Sequence, residues 1–326
     1  MKFAWKLLGL ACCGALAGLP GAESAAQNYP TKPIRFIVPF VPGGSTDFFA
    51  RLIAPGLSES LGQQVVVDNR GGAGGTIGTE VASRAVPDGY TLLLGSANTA
   101  MNVSLYGQRA VDPLRAFTAV ALLASAPNIL VVHPSLPANN AADLIALAKA
   151  KPGQINYASG GNGSTPHLAA ELFKTMTNVN LVHVPYKGTG PAVVAVLSSE
   201  ASVVFPAAGA VLPHARSGRL RALAICSAAR SEAAPDLPTV SESGVPGYES
   251  AQWYGVLVPA RTPREIVTRL NRELAKIVQG PHLKARLLTD ATTVVDDTSP
   301  HGFAVYLKAE IAKWEKVVKF SGARVD

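Results

Sequence analysis

The stretch Phe40-Val41-Pro42-Gly43-Gly44-Ser45-Thr46-Asp47-Phe48-Phe49-Ala50-Arg51 limits more than any other what this chain can fold into. Ahead of it, Ile34-Arg35-Phe36-Ile37-Val38 is a short run bounded by Pro33 and Pro39, which reads as a buried strand. Behind it, Phe49, Leu52, Ile53 and Leu57 recur near helical spacing, with Asp47 in the first turn and Pro55 as a kink point. The chain must therefore pass from strand to helix through Gly43-Gly44. Such a turn exposes backbone N–H groups at the positive end of a helix, which suits an anion. Ser45 and Thr46 add hydroxyl donors and are good cap residues. The same turn is equally compatible with a tight connection that binds nothing.

A second loop repeats the design. Gln154 to Ser159 reads as a strand, and Gly160-Gly161-Asn162-Gly163-Ser164-Thr165-Pro166 follows it. Pro166 fits the first position of a helix with Thr165 as its cap, and His167, Ala170, Glu171 and Phe173 continue it. Two such loops facing each other across a cleft would make an anion receptor. Tyr90 to Leu94 reads as a further strand ending in the small polar loop Gly95-Ser96-Ala97-Asn98-Thr99. Strands alternating with helices, with polar glycine loops at the strand ends, argue for a parallel α/β sheet, whose ligands bind beyond the carboxyl ends of the strands.

Length and composition fit this picture. The chain has 326 residues, 48% of them hydrophobic and 16% charged, enough for one large or two medium globular domains. Its net charge of +7 comes from scattered residues without a basic run, so no nucleic-acid partner is expected. Residues 1–26 read as a secretory signal peptide: Lys2 and Lys6, an apolar core from Leu7 to Leu19, and Ser24-Ala25-Ala26 before cleavage near Ala26. Cys12 and Cys13 raise a lipoprotein anchor, but Gly9-Leu10-Ala11-Cys12 lacks the expected leucine, so a soluble exported protein is favoured. The mature chain then keeps one cysteine, Cys226, in an apolar run and without an internal disulfide partner.

Catalytic patterns are sparse. The glycine of Asn69-Arg70-Gly71-Gly72-Ala73-Gly74-Gly75 that should complete a dinucleotide fingerprint is replaced by Ile77. Neither serine loop matches a nucleophile elbow, the six histidines lack metal-binding spacing, and no phosphate-cradling lysine loop occurs. No cofactor and no metal are expected. Ser164 with His167 remains as a dyad that a secreted hydrolase could use.

Several short pieces in order are similar to the Bug-type receptors, the extracytoplasmic solute-binding proteins of tripartite tricarboxylate transporters. They include Tyr29-Pro30-Thr31-Lys32-Pro33-Ile34, Val38 to Gly44, Thr46-Asp47, Ala50-Arg51, Asn69-Arg70 and Pro87-Asp88-Gly89-Tyr90-Thr91. Gly161 to His167, Val184-Pro185-Tyr186, Gly218 to Ala224, Pro238-Thr239-Val240, Glu242-Ser243-Gly244, Pro246-Gly247-Tyr248, Trp253 and Trp314 extend the resemblance over nearly the whole mature chain. It implies an α/β, two-domain periplasmic binding protein of the Venus flytrap, type II-like kind, with the ligand in the interdomain cleft. The expected division is 27–124 plus 229–326 for one domain and 125–228 for the other, with hinges near Ala124-Ser125 and Ser227-Ala228. The implied role is periplasmic capture of a small organic carboxylate for membrane transporter subunits, by a monomer that is not an enzyme. A ligand-sensing co-receptor is an alternative. From the loops and the resemblance together, the candidate binding residues are Phe40, Pro42, Gly43, Gly44, Ser45, Thr46, Asp47, Ser96, Asn98, Gly161, Gly163, Ser164, Thr165, Tyr186 and Phe205. Phe48, Phe49 and Phe205 depart from a polar pocket and favour a ligand with an apolar or aromatic body.

Overall fold

The computed structural model describes residues 29–323 and 325, so the signal segment expected over 1–26 lies outside the described residues. The chain opens with strand β1 (Ile34–Val38), helix α1 (Ser45–Leu61), β2 (Val65–Asn69), α2 (Thr76–Ser83), β3 (Thr91–Ser96), α3 (Ala97–Tyr106) and β4 (Phe117–Pro127). It continues through β5 (Ile129–Val132), α4 (Ala141–Ala150), β6 (Ile155–Ser159), α5 (Thr165–Thr177), β7 (Leu181–Pro185), α6 (Thr189–Leu197), β8 (Val203–Val204) and β9 (Arg221–Ile225). Then come β10 (Ala251–Pro259), α7 (Arg264–Gln279), α8 (Pro281–Leu288), β11 (Thr293–Val294) and α9 (Pro300–Ser321).

These strands make two mixed sheets, ordered β11-β4-β10-β3-β1-β2 and β7-β6-β8-β5-β9. In the first, β1 runs parallel to β2 and β3, while β10 lies antiparallel between β3 and β4. In the second, β6 is parallel to β7 and β8, and β5 is antiparallel to β8 and β9. The apolar runs of β1 and β3 are explained by burial on both faces. Ile34, Phe36 and Val38 pack with Phe49, Ile53 and Leu57 of α1 and Leu270 and Leu274 of α7. Ile37 and Leu93 face the opposite side, toward α3, α9 and α5. Both the first strand and the helix after the glycine turn lie where the spacing places them, and Pro55 sits inside α1 without ending it.

Two expectations need correction. Gly95-Ser96-Ala97-Asn98-Thr99 is not a loop: it finishes β3 and opens α3 directly. The small polar residues act as a cap there, with Ser96 N donating to Thr99 Oγ1 at 3.1 Å. The chain also changes sheet later than Ala124-Ser125. β4 keeps pairing with β10 as far as Pro127 opposite Ala251. Residues after Ser227 stay beside the second sheet, where Thr239 bridges Ile225 and Ser250 N donates to the Cys226 carbonyl at 2.7 Å. The hand-over points are thus Pro127–Asn128 and Ser250–Ala251, side by side. Cys226 is buried there, its thiol pushed up to about 12 by burial.

Helix α9 locks onto the first sheet through a buried carboxylate. Glu310 Oε2 accepts from Trp253 Nε1 at 3.1 Å and from Trp314 Nε1 at 3.0 Å, and Lys313 pairs with the same carboxylate. Gly255 leaves room for the Phe303 ring next to this lock; a Cβ at Gly255 would overlap it. Truncating the carboxylate strands two buried indole donors, which costs about 1–3 kcal/mol for each unpaired group. Glu310→Ala is therefore expected to lose about 2–5 kcal/mol, and Glu310→Gln, which keeps an acceptor, markedly less. Equal urea midpoints for the two variants, followed by tryptophan fluorescence, would contradict this account.

Candidate functional site

Between the two sheets lies a cleft of about 870 Å³, inside the roughly 300–1,000 Å³ range of small-molecule sites. Four helix N-termini open into it. Gly43, Gly44, Ser45 and Thr46 line it at the start of α1, Asn98 at the start of α3, Gly163 to Pro166 at the start of α5, and Gly188 to Gly190 at the start of α6. The first-turn N–H groups of a helix have no intrahelical acceptor, so each start presents donors and a partial positive charge.

The α1 turn is held from behind. Gly43 has φ +87°, a left-handed backbone that favours glycine. Its N–H donates to Asp47 Oδ2 at 2.9 Å, while Asp47 Oδ1 accepts from Asn69 Nδ2 and Arg51 Nε, each at 3.0 Å. Burial raises the Asp47 pKa, but the bonds from Arg51, Gly43 and Asn69 outweigh it and hold the carboxyl below its ordinary range. Asp47 is thus an ionised brace under the loop, and it does not line the cleft.

The α5 turn has a different brace. Gly163 N donates to His167 Nδ1 at 3.0 Å, Ser164 N to the Gly161 carbonyl at 3.1 Å, and Ser164 Oγ to that same carbonyl at 2.7 Å. His167 stacks on His183 with centroids 4.2 Å apart, and Tyr157 lies 4.8 Å from His183 and 6.4 Å from His167. Burial, helped by His183 and Lys174, pushes the His167 pKa down to about 3, so Nδ1 stays a neutral acceptor. Ser164 and His167 are each committed to the loop backbone and do not bond one another, which leaves the proposed dyad unassembled. Asn98, at the start of α3, reaches the α5 turn: its Nδ2 donates to the Gly163 carbonyl at 3.1 Å and its Oδ1 accepts from Thr165 Oγ1 at 3.4 Å.

Of the expected site residues, Phe40, Gly43, Gly44, Ser45, Thr46, Asn98, Gly163, Ser164 and Thr165 share this cleft. Pro42 is exposed at the turn, Ser96 is buried as the α3 cap, and Gly161 shapes the second turn with φ +109°. Tyr186 packs into the apolar cluster of the second sheet. Phe205 does not reach the cleft either: it is fully buried against Phe173, with centroids 5.5 Å apart. Phe48 and Phe49 do line the cleft. Phe49 stacks on Tyr254 at 4.4 Å, and Arg286 lies 4.9 Å over the Phe48 ring while paired to Asp290 at 3.3 Å.

Sequence reasoning did not find Asn128, Gly188 to Gly190, Ala207, Gln252, Tyr254, Arg286 or Asp290 among the lining residues. The Gly188-Thr189-Gly190 turn before a helix carried the same signal as the two loops that were found. Gln252 and Tyr254 sit on β10 and Arg286 on α8, while Asn128, Ala207 and Asp290 lie in connections, and nothing local marks any of them as facing the cleft. Among the described residues no group of three or more His, Cys, Asp or Glu is placed to hold a metal, and no helix is long and apolar enough to cross a membrane.

With this geometry established, comparison with known proteins gives a consistent answer. Residues 49–322 match the family model described as tripartite tricarboxylate transporter family receptor. The chain is 40% identical to protein BugT of Bordetella pertussis over 313 residues, covering 95% of each. It superposes with a TM-score of 0.81 at 39% identity on R. palustris Rpa4515 with adipate, covering 91% of this chain and 100% of that one. For the periplasmic binding protein BugD the TM-score is 0.79 at 33% identity, with 91% and 100% covered. For MatC from Rhodopseudomonas palustris with bound malate it is 0.79 at 31%, with 89% and 100% covered. The chain belongs to the family of tripartite tricarboxylate transporter receptors, the Bug-type solute-binding proteins.

Proposed function

We propose that this protein is a periplasmic receptor that captures a small organic carboxylate in the cleft and hands it to the membrane subunits of a tripartite transporter. The observation that carries the reading is the pair of glycine turns, Gly43 to Thr46 and Gly163 to Thr165, facing one cleft, with Asn98 of α3 bonded to the second turn. Helix N-termini bind a carboxylate with fixed dipoles, sparing the desolvation of an unpaired cation. Arg286, the cleft's guanidinium, is already matched by Asp290. The relatives solved with adipate and malate support the same ligand class. Ser164 and His167 serve as loop braces, so the receptor acts without turnover, and it works as a monomer. We take residues 29–127 with 251–323 as one domain and 128–250 as the other, hinging at the two adjacent hand-overs. Phe48, Phe49, Tyr254 and Leu287 give the ligand an apolar wall.

A thermal-shift screen of carboxylates tests the assignment: a ligand at about 100 times its dissociation constant stabilises the folded state by about 2.7 kcal/mol. A screen in which acids with aliphatic or aromatic bodies give no shift while acidic amino acids do would sink the apolar-wall reading. Asn98→Ala removes the side chain that ties the start of α3 to the α5 turn and should weaken binding about tenfold, the equivalent of about one or two hydrogen bonds. Unchanged affinity by calorimetry would show that Asn98 is a bystander.

Acidity gives a further check. His167 keeps its neutral acceptor down to about pH 3, so the second turn persists through the range where a free carboxylate protonates, around 4. Affinity should hold near neutrality and fall with the ligand's own carboxyl pKa. Two ligands of different pKa should therefore lose affinity at different pH values; a shared midpoint near the ordinary histidine pKa would place the sensitivity in the protein instead.

A further inference from the structure

The floor of the cleft forms where one sheet hands over to the other. Ala126 on β4 lies opposite Gln252 on β10. Alternate residues of a strand share a face, so Gln252 and Tyr254 look into the cleft together. Asn128, the first residue past β4, lines the same floor. Its backbone is fully used: N donates to the Ser250 carbonyl at 3.3 Å, and its own carbonyl accepts from Cys226 N at 2.8 Å. Its side chain is not. Asn128 is 0% exposed, and neither Oδ1 nor Nδ2 has a hydrogen-bond partner. Gln252 is 6% exposed, and its Oε1 is likewise unpartnered.

Buried amides are normally satisfied, and leaving them unpaired is costly. Two of them meeting at one cleft floor therefore define a recognition point. Whichever way each amide is turned, the pair offers both carbonyl acceptors and N–H donors. A carboxylate would supply acceptors alone, leaving the buried amide carbonyls without a donor. An ammonium would supply donors alone, and the cleft carboxylate of Asp290 is engaged with Arg286. A neutral hydroxyl or carboxamide both donates and accepts.

We infer that Asn128 and Gln252 form a subsite for a neutral group that both donates and accepts hydrogen bonds, carried at the far end of the bound carboxylate. The inference rests on the receptor reading above, in which the helix N-termini hold the near carboxylate. The ligand class is then an acid with an apolar middle against Phe48, Phe49 and Tyr254 and a hydroxyl or carboxamide terminus.

The test uses the mature full chain and straight-chain monocarboxylates of increasing length, each with its ω-hydroxy, ω-carboxamide and ω-carboxylate counterpart, measured by calorimetry. At the best length the hydroxy or carboxamide acid is expected to bind about tenfold or more tighter than both the plain acid and the dicarboxylate. That ratio should collapse toward one in Asn128→Leu and shrink in Gln252→Leu. Because each variant removes an unpaired buried amide, both should melt no lower than the wild type without ligand. A clearly lower melting point would mean that the amides are already satisfied in the fold, which overturns the inference. So would a wild type that binds carboxylates but prefers the plain acid or the dicarboxylate at every length, and this outcome leaves the receptor reading intact. A selectivity ratio that survives both variants overturns the assignment to these residues. Failure of every carboxylate to bind would overturn the receptor reading together with the subsite.

Discussion

A helix N-terminus aimed into a cleft leaves first-turn N–H groups that its own backbone cannot satisfy. Here four helices make the same demand on one space, starting at Ser45, Ala97, Thr165 and Thr189. Their positive ends all favour negative charge in that space. The surrounding structure can be understood as the means of bringing these ends together and holding each loop still. Parallel strands β1 and β6 deliver the two glycine turns at their carboxyl ends, and two packed layers of helices keep the sheets in place.

The titratable groups nearest the turns act on the far side of the backbone. Asp47 braces the Gly43 turn from beneath, and its negative charge is spent on Arg51, Asn69 and the Gly43 N–H. His167 braces the Gly163 turn as a neutral acceptor. An unpaired ionised carboxylate inside the cleft would repel the proposed ligand, and a protonated His167 could not accept the Gly163 N–H. Both braces thus depend on a protonation state that burial and hydrogen bonds fix, and both spare the N–H groups on the cleft side for the ligand.

The sequence made the two turns legible because a strand, paired glycines, hydroxyl caps and a helical run occur together and each has a mechanism. Gly188-Thr189-Gly190 bears the same marks. What the sequence could not show was which side of an element faces the cleft. Phe205 and Phe49 are both phenylalanines next to candidate loops. Phe205 turns into the core against Phe173, while Phe49 stacks on Tyr254 at the cleft wall. Strand alternation says that Gln252 and Tyr254 share a face, but not that this face is open. The hand-overs at Pro127–Asn128 and Ser250–Ala251 depend on which strand each residue pairs with, and a pairing partner is not written in a local pattern.

That placement bears on how binding and closure are coupled in the proposed receptor. Asn128 belongs to one hand-over and Gln252 follows the other, so both floor amides sit within two residues of the points about which the sheets would pivot. A ligand group bridging them touches both connecting strands at the hinge itself, while its carboxylate touches the turns near the lips of the cleft. Differential contact between open and closed states is what allows a ligand to shift such an equilibrium. At the lips that difference is large, because the start of α3 and the α5 turn belong to different sheets and must come together for Asn98 to reach the Gly163 carbonyl. At the hinge it is small, because residues near a pivot move little. Contacts at the floor should therefore discriminate between ligands without driving closure, and contacts at the turns should drive closure for any carboxylate that fits.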